Sequence, residues 1–213
     1  MSTAGDLVRI GRRIVELGLT RGSSGNISVR DADSITITPS GSDLGSLDTR
    51  ALSVVDQDGC RRFGARPSKE LPFHQAFYRR DQDCRAVVHV HSPAALAVSC
   101  LTPWRDFSAV PPITPYFVLR VGQTPLVPYA DPGDEQQARH IEQLEHRFRA
   151  VLLQNHGIVA GGQDLDEALD IVVELEQTCD VLLRLGGQTP HLLGEEAVQR
   201  LSSRYGSPWT RAR

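Results

Sequence analysis

The apolar stretch "AVVHVHSPAAL" (residues 86–96) carries two histidines, His89 and His91, with one valine between them. If residues 86–91 form a strand, successive side chains alternate between the two faces of a sheet, so both imidazoles point the same way. The neighbouring valines then point to the opposite face. Two imidazoles side by side on a buried strand predict one of two arrangements: a pair of hydrogen-bonded core histidines, or two ligands of one metal ion.

Length and composition restrict the class of protein. Residues 1–213 are predicted to form one domain, because this length suits a single large hydrophobic core. The net charge of −3 gives no attraction to nucleic acid or to an anionic membrane surface, and no apolar run is long enough to span a bilayer. The N-terminus lacks the apolar core of a signal peptide, and the four cysteines form no CxxC motif. We therefore expect a cytoplasmic protein with free thiols.

Hydrophobic periodicity and turn signals divide the chain into helices and strands. Helices are predicted over residues 5–19, over 68–80 with Ser68 as the N-cap, from Ser92–Pro93 onward, and over 134–148, 164–186 and 194–204. Two strand pairs are predicted in the first part of the chain: a hairpin around Asp31–Asp33, and a pair from Ser53 to Asp56 and Cys60 to Phe63. Single strands are predicted at 86–91 and near Phe117 to Val121. Two more are predicted within "AVLLQNHGIVAGG" (150–162), on either side of a break at Asn155–Gly157. The pattern predicts an α/β fold in which helices flank a largely antiparallel sheet.

His156 is the candidate for a third metal ligand beside His89 and His91. It lies in a polar Gln-Asn-His triplet between two apolar runs, and a polar group in such a buried setting needs a partner. A catalytic zinc-type site takes three protein ligands and leaves one position open. Neutral imidazoles suit zinc, iron and manganese alike, so the residues by themselves leave the metal open.

The remaining histidines are weaker candidates. His140 and His146 fall in a charged helical segment and are expected to be solvated, and His191 lies in a loop. His74 follows Glu70 by four residues, so the two share one helical face. We expect His74 to pack or to support the site rather than to bind a metal.

Three short stretches share the composition of anion-binding turns: "SSGN" (23–26), "TPSG" (38–41) and "PSKE" (67–70). Backbone N–H groups at such turns and at helix N-termini bind phosphate, although ordinary turn chemistry produces the same residues. Lys69 adds a positive charge. Glu70 is either a general acid or base beside the metal, or a carboxylate that stabilises the start of a helix.

Five motifs together resemble the class II aldolase/adducin family over about residues 5–200: "GSSGNISVR", "ITPSGSDLG", "RPSKELPFHQAFYRR", "AVVHVHSPAALAVS" and "LLQNHGIVAGG". The resemblance implies a three-layer α/β/α fold with a central, largely antiparallel sheet. It implies a divalent metal, in this family most often Zn²⁺, on His89, His91 and His156, with Glu70 as the acid/base. It also implies a substrate-phosphate site formed by Asn26, Ser40, Gly41 and Ser68.

The resemblance further implies a homotetramer with active sites between subunits. Tyr116 lies roughly where the family's aldolases bring in a tyrosine from a neighbouring subunit. The expected partner is a small phosphorylated sugar or sugar acid, without nucleic acid or membrane.

Within the family, "SKELPFHQAFY" and "ITPYFVLRVGQTPLVPYADPGD" are most similar to enzymes that decarboxylate 3-oxo-tetronate 4-phosphate. Lys69 replaces a serine of the aldolases, and a cation suits a substrate that carries a carboxylate as well as a phosphate. A sugar-phosphate aldolase of the L-fuculose-phosphate type is the alternative, followed by an epimerase. A non-catalytic, adducin-like assembly domain has no use for the three histidines and Glu70.

Overall fold

The computed structural model describes residues 3–210, which contain one eight-stranded sheet. Its strands are β1 (Asn26–Arg30), β2 (Ile35–Ile37), β3 (Ser53–Val55), β4 (Arg61–Phe63), β5 (Ala86–Val90), β6 (Leu126–Val127), β7 (Ala150–Leu153) and β8 (Gly157–Gly162). Their order is β4-β3-β2-β1-β5-β8-β7-β6, and every neighbouring pair is antiparallel except β6 with β7. The predicted largely antiparallel sheet is confirmed.

The helices lie on both faces of this sheet. They are α1 (Thr3–Glu16), α2 (Leu71–Arg80), α3 (Pro93–Ser99), α4 (Glu135–Glu142), α5 (Leu165–Arg184) and α6 (Glu195–Tyr205). One apolar core joins α1, α3 and α5 to the sheet, and a second joins α2 and α4 to the opposite face. This arrangement confirms the three-layer α/β/α architecture. Among the described residues, no helix combines the length and apolar character needed to cross a membrane.

Strand β5 lies in the interior of the sheet, between β1 and β8, and all five of its residues are buried. The alternation of its side chains matches the prediction. Val88 and Val90 pack into the core with α1, α3 and α5, whereas Val87 packs into the core with α2 and α4. His89 lies on the Val87 face, where its ring meets Phe73 of α2 edge to face.

Two predicted elements are wrong. Phe117–Val121 forms a π-helical turn and not a strand, and the strand in this region is β6, nine residues further on. Phe117 and Val121 are both fully buried, and their spacing places them on the same side of a helical turn. The helix predicted over 134–148 ends at Glu142, where Arg80 donates hydrogen bonds to the carbonyls of Glu142 and His146.

The start of α2 also differs from the prediction. The N-cap position is Glu70 and not Ser68, and the Ser68 hydroxyl instead accepts a hydrogen bond from the Glu70 N–H. Pro72 occupies the first turn, where its missing N–H costs nothing. Glu70 therefore stands at the junction of loop and helix, which frees its side chain to point into the interior.

Candidate active site

The three predicted metal ligands lie together. His89, His91 and His156 each offer one ring nitrogen, and these atoms lie within 4.8 Å of one another. The Nε2 atoms of His89 and His91 are 3.0 Å apart, and the ring of His156 lies 4.9 Å from that of His89 and 4.7 Å from that of His91, centroid to centroid. We call these three side chains the histidine cluster.

Backbone geometry explains how His156 reaches His89 on β5 and His91 just after it. It lies in the tight turn between β7 and β8, in which Asn155 has a φ of 58° and Gly157 a φ of 151°. A Cβ atom on Gly157 would lie 2.4 Å from the Val90 carbonyl oxygen. Only glycine lets the turn approach the end of β5 this closely.

The histidine cluster has the chemistry of a divalent-metal site. The Nδ1 atom of His89 is 2.7 Å from the Ile158 carbonyl oxygen, so Nδ1 carries the proton and the Nε2 lone pair faces the cluster. Burial lowers the pKa of His89 to about 3 and also lowers that of His91, which keeps both imidazoles neutral. The 3.0 Å separation of two Nε2 atoms is near the roughly 3.3 Å expected of two nitrogens on one tetrahedral ion.

Glu70 faces the histidine cluster from α2. Its Oε2 lies 3.5 Å from His89 Nε2, and its Oε1 lies 3.4 Å from His156 Nε2. Burial by itself raises the pKa of Glu70, but the contacts with His156, His89 and Asn26 outweigh that penalty and hold the pKa well below its usual value. A buried, ionised carboxylate beside three imidazoles completes a donor set that suits a divalent cation.

Asn26 binds the Glu70 carboxylate directly, and His74 binds Asn26. Asn26 Nδ2 donates a 2.7 Å hydrogen bond to Glu70 Oε2, and its Oδ1 contacts His74 Nε2. His74 is fully buried and its Nδ1 lies 2.7 Å from the Ser28 hydroxyl. His74 is therefore a supporting residue, as predicted, while the predicted contact of Asn26 with a phosphate stays a prediction.

The three glycine- and serine-rich loops, at 23–26, 38–41 and 67–70, lie close to one another at the end of the sheet where the histidine cluster lies. The loop at 38–41 pairs with the loop at 67–70, because Ser68 N–H donates to the Thr38 carbonyl and Ser40 N–H to that of Arg66. Thr38 Oγ1 in turn accepts from the Ile27 N–H on β1. Ser40 and Gly41 are exposed and Ser68 is buried, so the predicted phosphate residues include solvent-facing groups.

Lys69 and Tyr116 lie outside the histidine cluster. Lys69 is exposed, and its aliphatic stem lies against Gly133, where a Cβ atom would come within 3.1 Å of it. Tyr116 is 56% exposed, and its ring lies under the Arg120 guanidinium at 5.4 Å. Within residues 3–210, Tyr116 contacts Arg120 rather than the three histidines.

His140 and His146, which were expected to be solvated, are both half-buried. The ring of His146 packs edge to face on Phe107, and His140 Nε2 lies 3.4 Å from Gln136 Nε2. Neither belongs to the histidine cluster. Part of this charged segment forms α4, which packs on α2. The number of charged residues in the segment does not predict that packing.

Sequence reasoning missed Ser28 and Tyr78, which extend the support of Glu70. Tyr78 and Ser28 share a 2.6 Å hydrogen bond in the interior. Their spacing in the sequence could have indicated this role. Ser28 is two residues from Asn26 on β1 and Tyr78 is four residues from His74 on α2, so each pair shares one face of its element. Polar residues at these intervals on buried faces indicate a network.

Comparisons with known proteins agree with this geometry. Residues 5–183 match the model of the Class II Aldolase and Adducin N-terminal domain. The chain is 41% identical to a 3-oxo-tetronate 4-phosphate decarboxylase of Haemophilus influenzae over 93% of this chain and 95% of that protein. It is 34% identical to the L-fuculose phosphate aldolase of Escherichia coli over 80% of this chain and 77% of that protein.

Among solved structures, that of YgbL from Klebsiella pneumoniae is similar, with a TM-score of 0.89 and 38% identity over 93% of this chain and 97% of that chain. The family match and the sequence identities agree with the fold and with the position of Glu70 opposite the histidine cluster. The chain belongs to the class II aldolase and adducin family.

Proposed function

We propose that this protein decarboxylates 3-oxo-tetronate 4-phosphate to dihydroxyacetone phosphate and CO₂. The observation that carries the reaction class is the buried Glu70 carboxylate, which faces His89 and His156 at 3.5 and 3.4 Å. The substrate follows from the 41% identity with the Haemophilus influenzae decarboxylase over nearly the whole of both chains. We take residues 1–213 as one catalytic domain.

The chemistry needs a site that stabilises negative charge on oxygen. When C1 of a 3-oxo acid leaves as CO₂, its bonding electrons pass to C2 and the C3 carbonyl and form an enediolate. His89, His91 and His156 would hold a divalent ion, in our proposal Zn²⁺, which would supply a Lewis acid for this charge. His89 and His156 are buried, which limits the weakening of that interaction by bulk water.

Glu70 moves the proton in this scheme. Its depressed pKa leaves it ionised in the resting site, so it accepts the proton of the substrate 2-hydroxyl first. After CO₂ departs, Glu70 delivers that proton to C2, and the 2-oxygen recovers a proton from water. The net reaction consumes one proton from water for each carboxylate lost as CO₂.

The loops at the cluster end hold the rest of the substrate. We assign the phosphate to Asn26, Ser40, Gly41 and Ser68, which lie on or beside the glycine- and serine-rich turns and offer an amide and two serine hydroxyls. Lys69, adjacent to Glu70 and exposed, is assigned to the carboxylate that becomes CO₂. The phosphate and the carboxylate of the proposed substrate would each meet polar or charged groups of these loops.

The assembly and location are also proposals. We propose a homotetramer in which Tyr116, which is exposed on its own subunit, reaches the active site of a neighbour. The four free cysteines, Cys60, Cys84, Cys100 and Cys179, fit a reducing cytoplasm.

A class II aldolase that cleaves L-fuculose 1-phosphate is the second candidate. Cleavage of a C–C bond to an aldehyde leaves the same enediolate of dihydroxyacetone phosphate, so the same histidine cluster and Glu70 serve both reactions. The 34% identity with the Escherichia coli aldolase supports this candidate. An epimerase of the same family is the third candidate, whereas a non-catalytic domain would need neither the metal nor the acid/base.

A product assay decides between these reactions. Metal-loaded protein is given freshly made 3-oxo-tetronate 4-phosphate or L-fuculose 1-phosphate, and dihydroxyacetone phosphate is detected by coupled reduction. An EDTA-stripped sample corrects for spontaneous loss of CO₂. We expect metal-dependent turnover of the first substrate alone, and turnover of the second alone would establish the aldolase instead.

Substitutions at Lys69 test its assignment to the substrate carboxylate. Lys69→Met keeps an unbranched side chain but removes the charge, and we expect KM to rise about 10- to 100-fold, which is the value of a charge-assisted hydrogen bond. Lys69→Arg keeps the charge and should raise KM less. Equal KM values in the wild type and both variants would remove Lys69 from the site.

A further inference from the structure

A chain of hydrogen bonds leads away from Glu70 through four other buried side chains. Asn26 Nδ2 is 2.7 Å from Glu70 Oε2, and Asn26 Oδ1 contacts His74 Nε2. On the other side of the ring, His74 Nδ1 is 2.7 Å from Ser28 Oγ, which is 2.6 Å from the Tyr78 phenol oxygen. The chain forms because alternate residues of β1 meet residues one turn apart on α2.

The orientation of the Asn26 amide fixes the direction of the first two links. Asn26 Nδ2 donates to Glu70 Oε2, so the NH₂ group of the amide faces Glu70. The Asn26 oxygen then faces His74, and His74 Nε2 must carry a hydrogen to meet it. One orientation of the amide and one position of the ring proton satisfy both contacts.

The remaining links follow in the same direction. Burial lowers the pKa of His74 to about 3, so the ring is neutral and its Nδ1 has a lone pair. Ser28 donates to that lone pair, and Tyr78 donates to Ser28. Burial also raises the pKa of Tyr78, so the phenol keeps its hydrogen.

We propose that His74 is a positioning residue, whose neutral Nε2–H tautomer locks the Asn26 amide so that its NH₂ group holds Glu70 against the histidine cluster. This inference deepens the proposed function and rests on it for the role of Glu70. An amide does not pass a proton along, so the chain orients the carboxylate and does not conduct protons to it. Without the hydrogen on His74 Nε2, the amide is free to turn its oxygen toward the carboxylate, which would push Glu70 away.

The tautomer can be observed directly and without substrate. Metal-free protein labelled with ¹⁵N-histidine is examined near neutral pH by long-range ¹H–¹⁵N correlation, and His74→Gln identifies the His74 signals by their loss. We expect a protonated Nε2 and an unprotonated Nδ1. A proton on Nδ1, or on both nitrogens, would overturn the inference.

Two amide substitutions then test the positioning role. Gln at position 74 places an N–H donor near the original Nε2, whereas Asn is too short to reach Asn26 but keeps an acceptor for Ser28. We expect kcat of His74→Gln to stay within about threefold of the wild type and that of His74→Asn to fall about 10- to 100-fold, the usual effect of losing an outer hydrogen-bond partner. KM and the metal content should change little in either variant.

The outcomes separate this inference from the proposed function. Equal kcat values for the two variants, or a loss in both, would overturn the positioning role even if the tautomer is as expected. A correct tautomer in a protein that turns over neither substrate would overturn the proposed function and leave the orientation of Asn26 supported. Because the NMR measurement needs no turnover, it tests the tautomer even if the His74→Asn variant does not fold.

Discussion

Opposing effects act on the carboxylate of Glu70. Burial favours its neutral form, while the Asn26 amide and the imidazoles of His89 and His156 favour the ionised form and prevail. A simple helix cap would point its carboxylate at the N–H groups of its own first turn, but Glu70 makes no such bond. Its position therefore favours the acid/base role over the capping role that the sequence left open.

Glu70→Gln tests this role. The amide has nearly the same shape as the carboxylate, so we expect the variant to fold and to keep its metal on the three histidines. Since an amide neither accepts nor returns the proton, kcat should fall by at least about 100-fold, the usual contribution of general acid–base catalysis. Kinetics together with metal analysis measure both quantities.

His140→Ala is the control for that experiment. His140 is half-buried on α4 and lies outside the histidine cluster. We expect its kcat and metal content to match the wild type. Near-normal turnover by Glu70→Gln, or an inactive but folded His140→Ala, would show that the catalytic residues are wrongly assigned.

At the level of elements, the start of α3 is held by another helix. Ser92 occupies the predicted N-cap position, but its hydroxyl donates to Glu176 Oε2 on α5 instead of capping its own helix. The Glu176 carboxylate also accepts the N–H groups of Ala94 and Ala95, each at 2.8 Å. This contact ties the chain immediately after His91 to α5, which lies in the same helical layer as α3.

Glu176→Gln should weaken this junction. An amide replaces one acceptor oxygen by an NH₂ group, which then faces an N–H that it cannot bind. We expect the free energy of unfolding to fall by about 1–3 kcal/mol, the cost of an unsatisfied buried group, as measured by urea denaturation. The exposed Glu145→Gln is a matched control and should change it by less than about 0.5 kcal/mol. Equal stability of the two variants would contradict the capping role of Glu176.

For the molecule as a whole, the buried titratable side chains between the sheet and α2, namely His74, His89 and Glu70, make the free energy of unfolding depend on pH. His74 has a pKa of about 3 in the folded protein and its usual value of 6.5 when unfolded. Between these values the unfolded chain binds more protons, so acid favours unfolding. His89 acts in the same direction, and Glu70, with a folded pKa below 4.5, adds to the effect at lower pH.

The metal-free protein should therefore lose stability as the pH falls below about 6.5. Each buried histidine contributes up to about 1.4 kcal/mol per pH unit. We expect the free energy of unfolding of His74→Gln to fall less steeply than that of the wild type between neutral pH and mild acid, as measured by urea denaturation at each pH. Parallel curves would show that His74 does not stay neutral in the folded state.

The sequence by itself determined much of this protein. The alternation in "AVVHVH" placed His89 and His91 on one face, glycine and serine marked the loops, and five motifs indicated the family. Most helices follow from periodicity because one face of each is buried, whereas β5, β7 and β8 are buried along their whole length and appear in the sequence as short apolar runs. The exceptions, at Phe117–Val121 and at the end of α4, are places where contacts distant in sequence outweigh the local pattern.

Only the tertiary structure decided how these parts meet. The β7–β8 turn packs against the end of β5 and brings His156 close to His89 and His91. The packing of α2 on the sheet sets the direction of the Glu70 side chain and the hydrogen bonds from Asn26 through His74 to Tyr78. Residue spacing describes neighbours within one element. Distances between elements are set by side-chain volume and hydrogen bonding in a closely packed interior, which no single stretch of sequence contains.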